Sequence, residues 1–571
     1  MVVNEAHSPI ESVRGSITTS FHRSLLQIIY FCARQSRNMA GRPKFLTAEN
    51  RLAVSSMVDA THVFVVDSLR FVFGTARMRL DADIDVDLEL LVAVFKECTR
   101  RDISPSSTQW LTRCQETDVI RASLELFVQT DLTGLSTLPF SRRKQPLYSP
   151  HILTFHVALA SLPGPAERLA SEGILIAYSN SRLGTGPIDV TLPELPGERN
   201  PAHTAYCVML AVVSGVFSSL GMQKHFFGAE ASGFVRLFGN QIAGVLAWTV
   251  GDPISLALVE EMERVVELFH AIAMSASSAG GSRRRGERAG PTEGVLAAFS
   301  TNALLLLQQL NYALTHPNQV ASLLEPVTAE ERMAAEKDQS DGQASAGTAV
   351  VDPVKRPFLA RLVHRLLGLT SSIVCTLVVI NRSDTVLRGD IEDVPTWCPL
   401  IVPHSKVVLG EPASMGTLLE LTSSALDVLS QLVARPTGQA LAPPSSISTS
   451  VRGAERALDV GEARHTARQT VEVVLMYAAT QLGMWLERPE GGDGAGADGE
   501  MEEMGEGGER RRESSGLSER VRRGMVVEMG GELRALMERA RGVQGKSREG
   551  ETVDITDVLL RFLNEHVMKS G

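Results

Sequence analysis

Leu258, Val259, Met262, Val265, Val266, Phe269 and Ile272 recur at i, i+1, i+4, i+7, i+8, i+11 and i+14, while Glu260, Glu261, Glu263 and Arg264 fill the opposite face. Spacing of that kind predicts an amphipathic helix with one face in a core. Similar periodicity predicts helices over Ser24–Gln35, Ala48–Phe73, Ile84–Thr99, Asp118–Gln129, Pro150–Ser161, Pro201–Met222 and Gly233–Trp248. Others follow over Glu293–Ala313, Asn318–Lys337, Pro353–Asn381, Ser414–Ala434, Glu462–Trp485, Ser518–Arg541 and Asp554–Met568. Pro201–Met222 and Glu293–Ala313 are apolar on more than one face, as the inner helix of a stacked array must be. No window of comparable length alternates as a half-buried strand would. Val63–Val66 and Ile174–Tyr178 fit a short strand or a buried helix equally.

Five capping residues stand directly before proline, at Ser104-Pro105, Ser149-Pro150, Asn200-Pro201, Asp252-Pro253 and Asp352-Pro353. A side-chain oxygen there can accept from the free N–H groups of a first helical turn, and proline at N1 gives up a donor that had no partner. The successive gaps are 45, 51, 52 and 100 residues. Recurrence near fifty residues is what stacked helix pairs of ~40–47 residues would produce. The pattern predicts an all-α fold, a superhelical solenoid of HEAT/ARM-like antiparallel helix pairs.

Breaks in the periodicity set the expected organisation. Residues 1–13 read as a disordered N-terminus and 14–488 as an α-solenoid with flexible loops near 279–290, 337–351 and 435–450. Residues 489–515 read as a disordered acidic, Gly-rich insert, and 516–571 as C-terminal helices completing the solenoid. The insert carries eight acidic residues and no basic one up to Glu509, then Arg510-Arg511-Arg512. Such a segment buries too little apolar surface to offset its ordering entropy.

Composition narrows the class. At 571 residues the chain exceeds one compact core, but a solenoid's core grows in one dimension. Hydrophobic residues make up 44% and aromatic residues only 5%, so Leu, Val and Ala carry the expected packing. A net charge of −10, with both signs mixed, lacks the basic footprint of a direct nucleic-acid binder. Cys32, Cys98, Cys114, Cys207, Cys375 and Cys398 show no CxxC spacing, and most read as small buried hydrophobes in a reducing compartment. The runs Ala205–Phe217 and Ile373–Ile380 fall short of the ~20 residues that cross a bilayer, so no transmembrane segment is expected. Met1–Gly15 shows neither a signal-peptide core nor an Arg-rich presequence.

Chemical motifs are few. The run Asp81, Asp83, Asp85, Asp87, Glu89 has Val86 and Val92 where an EF-hand needs Gly and Glu, so it reads as a capped, solvated helix start. Gly545-Lys546-Ser547 lacks the earlier glycine of a P-loop, since position 540 is Ala540. Gly184-Thr185-Gly186 reads as a loop. His151 and His156, five apart, lie on different helix faces and read as ordinary histidines. Asn381-Arg382-Ser383 is a formal glycosylation sequon without a signal peptide. Arg283-Arg284-Arg285 and Arg510-Arg511-Arg512 read as solubilising charge. No constellation predicts an enzyme, a catalytic residue, a cofactor or a metal.

Four strings carry a family resemblance: GFVRLFGNQ (Gly233–Gln241), QQLNYALTHPNQVASLLEPVTAEERMAAEK (Gln308–Lys337), PHSKVVLGEPASMGTLLELTSSALDVL (Pro403–Leu429) and DVLLRFLNEHV (Asp557–Val567). Together they resemble the C-terminal part of fungal nucleoporin 188, a large inner-ring scaffold nucleoporin, with the 192/205 class as the nearest alternative. The resemblance spans the chain from about Arg14 onward. It implies a HEAT- and ARM-like solenoid in the nuclear pore complex of the nuclear envelope, binding helical segments of linker nucleoporins. Phe-Gly nucleoporins and transport receptors are further implied partners. Family members are longer than this chain, which implies a C-terminal piece or a gene reading that begins late. A karyopherin-like transport receptor or cargo adaptor shares the architecture and is the alternative. Partner-contact residues stay unknown at this level, and exposed apolar surface at a solenoid end makes Ser24–Phe31 the expected weak point.

Overall fold

The computed structural model describes residues 20–40, 48–78, 80, 82–99, 108–132, 147–186, 199–220, 224–279, 291–343, 355–380, 412–442, 457–486 and 527–543, with 558, 559, 561 and 565. These residues are overwhelmingly helical, so the described part of the chain is all-α apart from one short strand pair. It divides into two compact units. One comprises 1–241, 274–292 and 447–454, the other 242–273, 293–446 and 455–571.

The first unit opens with α1 (Ser20–Ala40), α2 (Ala48–Ala76), α3 (Ala82–Cys98), α4 (Thr108–Thr117) and α5 (Val119–Gln129). It continues with α6 (Ser149–Ala160), α7 (Pro163–Ser171), α8 (Ile174–Ser179), α9 (Pro201–Ser219) and α10 (Lys224–Leu237). Helix α2 packs on α3, α4 and α5, α3 on α1 and α6, and α9 on α6 and α7. The five residues between α2 and α3 force the two to run antiparallel, the expected helix-pair geometry. Aromatic residues, scarce overall, concentrate in this unit's core. Phe95 lies 4.8 Å from Phe155 and 5.4 Å, edge-on, from Trp110, while Phe73 sits 5.6 Å from Phe155. Val63–Val66 and Ile174–Tyr178 are helical, the first inside the long helix α2 and the second in the six-residue helix α8.

Short α11 (Gly239–Leu246) follows. The second unit is built on α12 (Leu256–Ala279), α13 (Pro291–Thr315), α14 (Pro317–Leu323), α15 (Ala329–Gln343), α16 (Pro357–Ile380) and α17 (Met415–Val433). Strands β1 (Ala440–Ala442) and β2 (Leu458–Asp459) pair antiparallel, α18 (Val460–Leu486) follows, and α19 covers 527–543. Helix α18 packs on both α16 and α17. Phe269 of α12 stacks on Phe299 of α13 at 4.4 Å.

The proline-cap spacing holds at one of the three sites within the described residues. Asn200 caps α9, its side chain accepting from Ala202 N–H at 2.9 Å with Pro201 at N1. Ser149 is instead the first residue of α6, buried, with its Oγ unpartnered. Asp252 closes a turn by accepting from Thr249, and α12 starts at Leu256, where Ser255 Oγ accepts from Leu258 N–H at 3.1 Å. Ser104 and Asp352 lie outside the described residues. The fifty-residue period is therefore not a period of caps.

Helix α16 takes its cap from a distant side chain. Asp338 of α15, buried, accepts through Oδ2 from Phe358 N–H at 3.1 Å and Leu359 N–H at 3.2 Å. A carboxylate there answers two of the donors a helix start leaves free and faces the positive end of the helix dipole. Asp338→Ala should cost about 1–2 kcal/mol of stability, read as a lower unfolding midpoint in urea. A change under about 0.3 kcal/mol would refute the cap.

Two expected loops are partly ordered. Residues 337–343 continue α15, and 435–442 form a turn and β1, so the loops near 337–351 and 435–450 are shorter than their composition suggests. The expected Asn318–Lys337 helix is broken at Leu324, where Ile254 N–H donates to Leu323 O and Glu325 N–H to Ile254 O. Gly233–Trp248 is likewise two helices, with Phe238 between them. Residues 489–515 and most of the 279–290 loop lie outside the described residues.

The run-length argument against a membrane span is also corrected. Leu52–Ala76, Pro201–Ser219 and Pro357–Ile380 are long and apolar enough to cross a membrane by length and composition. Interruptions such as Ser214-Gly215 and Thr370-Ser371-Ser372 are too small and weakly polar to break the average. Within the fold, 72% of the Pro201–Ser219 window and 61% of the Pro357–Ile380 window are buried against protein, as inner helices are. At the other extreme, α1 buries Leu25, Leu26 and Ile29 but leaves Ile28 48% and Phe31 67% exposed, an apolar ridge within Ser24–Phe31.

Candidate partner-binding niche

The acidic run is a helix start solvated at Asp83 and Glu89, as expected, but it also carries packing contacts. Asp87 is buried and pairs with Arg23 of α1, Nε to Oδ1 at 2.6 Å. Asp83 accepts from the same guanidinium at 3.1 Å. Asp85 lies 3.2 Å from His151 Nε2. The run thus ties α3 to α1 and α6, and Val86, on the other side, is exposed. Among the described residues, no group of three or more His, Cys, Asp and Glu side chains gathers as metal ligands would.

Gly184-Thr185-Gly186 is a turn after α8. A Cβ at Gly184 would stand 2.1 Å from Ser179 O, so the glycine is there to let two backbones meet, and Gly186 has φ of +80°. Gly545-Lys546-Ser547, Asn381 and both triple-arginine clusters lie outside the described residues. Of the cysteines, Cys98, Cys114 and Cys207 are buried, Cys375 half-buried and Cys32 exposed. Burial pushes the Cys98 thiol up to about 12, far from a reactive thiolate.

Ser123, His156 and Tyr178 come closest to a catalytic arrangement. His156 Nε2 is 2.9 Å from Ser123 Oγ, and its Nδ1 is 3.1 Å from Tyr178 OH. A nucleophile and base at that spacing resemble half of a hydrolytic triad, but all three side chains have no accessible surface. Substrate has no path to them. His151 and His156 therefore serve separate roles, one in a polar contact with Asp85 and one in the core.

A different spot faces solvent. Ala360, Val363, His364 and Leu367 stand at i, i+3, i+4 and i+7 on α16 and form one wall of a niche. Val428 and Leu432 of α17, Leu441 of β1 and Ala463 of α18 complete it, leaving a shallow depression partly open to solvent. Ser414 and Thr417 build a reciprocal capping box that starts α17. At its other end Arg464 of α18 donates through Nε and Nη2 to Leu432 O, at 3.0 and 2.9 Å, and through Nη1 to Thr437 Oγ1 at 3.0 Å. One guanidinium thereby answers the free carbonyls of a helix C-terminus and holds the α17 wall beside α18. Thr470 Oγ1 donates to Leu367 O at 2.9 Å, fixing α18 to α16.

His364 is the polar member of this apolar wall. Its Nδ1 is buried with no hydrogen-bond partner. Burial, then the charges of Arg365 and Arg361, lower its pKa to about 4, so the ring is neutral near pH 7. The i, i+3, i+4, i+7 spacing was readable within the predicted Pro353–Asn381 helix. What the sequence did not reveal was that this face meets Val428 and Leu441 only partly.

Comparison with known proteins bears on the first unit. Residues 1–186 match the family model described as the nuclear pore protein NUP188 C-terminal domain. No curated protein matches. Among solved structures, a fragment of Nup188 from Myceliophthora thermophila, residues 1445–1827 of that protein, is similar at 16% identity and a TM-score of 0.43. The similarity covers 65% of this chain and 97% of the fragment. All four strings behind the sequence resemblance lie beyond residue 186, so the family match rests on different residues from those that suggested it. Residues 1–186 are thus similar to the C-terminal domain of a nuclear pore protein family.

Proposed function

We propose that this chain is a structural scaffold of the nuclear pore complex inner ring that holds helical segments of linker nucleoporins and so supports nucleocytoplasmic transport. The match of residues 1–186 to the NUP188 C-terminal domain carries the reading. The layered helices support it, because stacked helix pairs present grooves into which an amphipathic helix can lay its apolar face. The shallow niche beside His364 offers the apolar face of such a helix an aliphatic surface to lie on.

The test is a pull-down from nuclear extract with residues 10–571 as bait, identified by mass spectrometry with and without Ran-GTP. The scaffold reading expects a linker nucleoporin and other inner-ring components in amounts that Ran-GTP does not change. Cargo, or partners released by Ran-GTP, without pore scaffold proteins would replace it with the transport-receptor reading. Val428→Glu, at a half-buried position on the niche, should reduce linker recovery at least fivefold if the niche takes an anchor. Unchanged recovery would move the contact elsewhere on the chain.

A further inference from the structure

Helix α19 is seated on the second unit in the manner of a bound peptide. It buries Gly530, Leu533, Met537 and Ala540, at i, i+3, i+7 and i+10, with Leu536 half-buried beside them. Its remaining surface is mostly charged: Glu528, Glu532, Glu538, Arg539 and Arg541 are exposed. Arg539 pairs with Asp427 of α17 and donates to Ser423 Oγ, one turn earlier on the same helix, at 3.1 Å. An apolar stripe on one face and an arginine matched to a carboxylate are the marks of helix-in-groove recognition.

The segment is short for a helix in isolation, and two adjacent glycines, Gly530 and Gly531, interrupt its otherwise helix-favouring composition. Three of the seventeen residues in 527–543 are glycine (Gly530, Gly531, Gly542), each costing a helix roughly 1 kcal/mol relative to alanine. A Cβ at Gly531 or Gly542 would meet nothing within 4 Å, so neither glycine is required by packing. An isolated helix of this length with two interior glycines is marginal in water, so much of its helicity must come from docking. Residues 487–526 connect α19 to the end of α18, so a released helix stays near its seat at high effective concentration.

We propose that residues 527–543 are a displaceable internal ligand: a helix that forms on the α17 surface around Ser423 and Asp427 and exchanges from it. The same surface then fits a partner helix with a Leu–Met–Ala stripe and an arginine placed like Arg539, a consequence that rests on the scaffold reading.

The test needs no nucleoporin, so it stands or fails apart from that reading. A fluorescent peptide of residues 527–543 is titrated into the full chain and into its Leu533→Asp/Met537→Asp variant, by anisotropy. The variant should bind the peptide at least tenfold more tightly than the parent, whose seat is already filled. Asp427→Arg in the variant should remove that gain, and a peptide carrying Arg539→Asp should restore it. In an independent arm, a peptide with Gly531→Ala and Gly542→Ala should bind the variant roughly tenfold more tightly still. Should the double-aspartate variant lose its cooperative unfolding transition, hydrogen exchange on the parent decides instead. Amides of 527–543 should exchange at least a hundredfold faster than those of α18. Equal peptide binding to both chains, binding to neither, or exchange of α19 only together with α18 would overturn the proposal.

Discussion

Arg365→Met should lower the unfolding free energy by about 3 kcal/mol at neutral pH, read as a shift of the urea midpoint. Arg365, buried on α16, donates through Nε and Nη2 to both carboxylate oxygens of Glu263, at 3.2 and 2.7 Å. Its Nη1 donates to Leu256 O at 3.1 Å, so one side chain fixes the start and second turn of α12 against α16. Methionine keeps most of the volume and none of the five donors. The loss is then less a missing attraction than a stranded charge. Burial already raises the Glu263 pKa above the usual carboxylate range, with Arg365 the largest opposing influence. A raised folded pKa makes the stability contribution complete below the unfolded value and lost as pH rises through the folded one. Removing Arg365 pushes the folded value higher, so the deficit should grow from pH 5 to pH 8. Glu263→Gln in the Arg365→Met background should recover at least half of it by removing the charge. A deficit that is flat with pH, or unrelieved by glutamine, would show that the pair contributes packing alone.

Much of the helical layout was legible because apolar periodicity survives from sequence to core. All seven positions read in the Leu258–Ile272 pattern lie on a helix and all but half-buried Leu258 are buried, but the expected charged face is not solvent-facing, since Glu260, Glu261 and Arg264 are buried too. What escaped was long-range. Asp338 sits in a stretch whose Gly, Ser and Asp content reads as loop, yet it caps a helix twenty residues on, and no local rule connects the two. The acidic run looked solvated throughout because its partners, Arg23 and His151, are sixty or more residues away. The same limit governed the site. His364 and its helical neighbours were visible as one apolar face, but a niche is defined by where a second and third element stop short of covering it. Only the fold places Val428 and Leu441 there.

Acid should destabilise the first unit through its buried histidines, and His156 is the clearest case. Ser123 Oγ donates its one proton to Ile120 O at 2.6 Å. It can therefore only accept from His156, which fixes the proton on Nε2. Nδ1 is then an acceptor, and Tyr178 OH, 3.1 Å away, must donate to it. One neutral tautomer satisfies all three side chains. A second proton on the ring would face a hydroxyl already committed as donor, in a site without accessible surface. Burial accordingly lowers the His156 pKa from 6.5 to about 3. His62, stacked on Trp110 at 5.1 Å, is lowered to about 3 by the same cause. A depressed folded value means the unfolded chain takes up the proton first, so stability is complete above the unfolded value and declines as pH falls towards the folded one. Each such ring is worth up to ~4 kcal/mol between pH 6.5 and pH 3. Unfolding free energy measured by urea at stepped pH should fall steeply over that window. In His156→Phe the curve should start about 1–3 kcal/mol lower at pH 7, because Ser123 and Tyr178 lose their partner. It should also be shallower, because one titrating group is gone. A parent and a variant with parallel curves would mean that His156 is already charged in the folded state, which the Ser123–His156–Tyr178 chain of donors forbids.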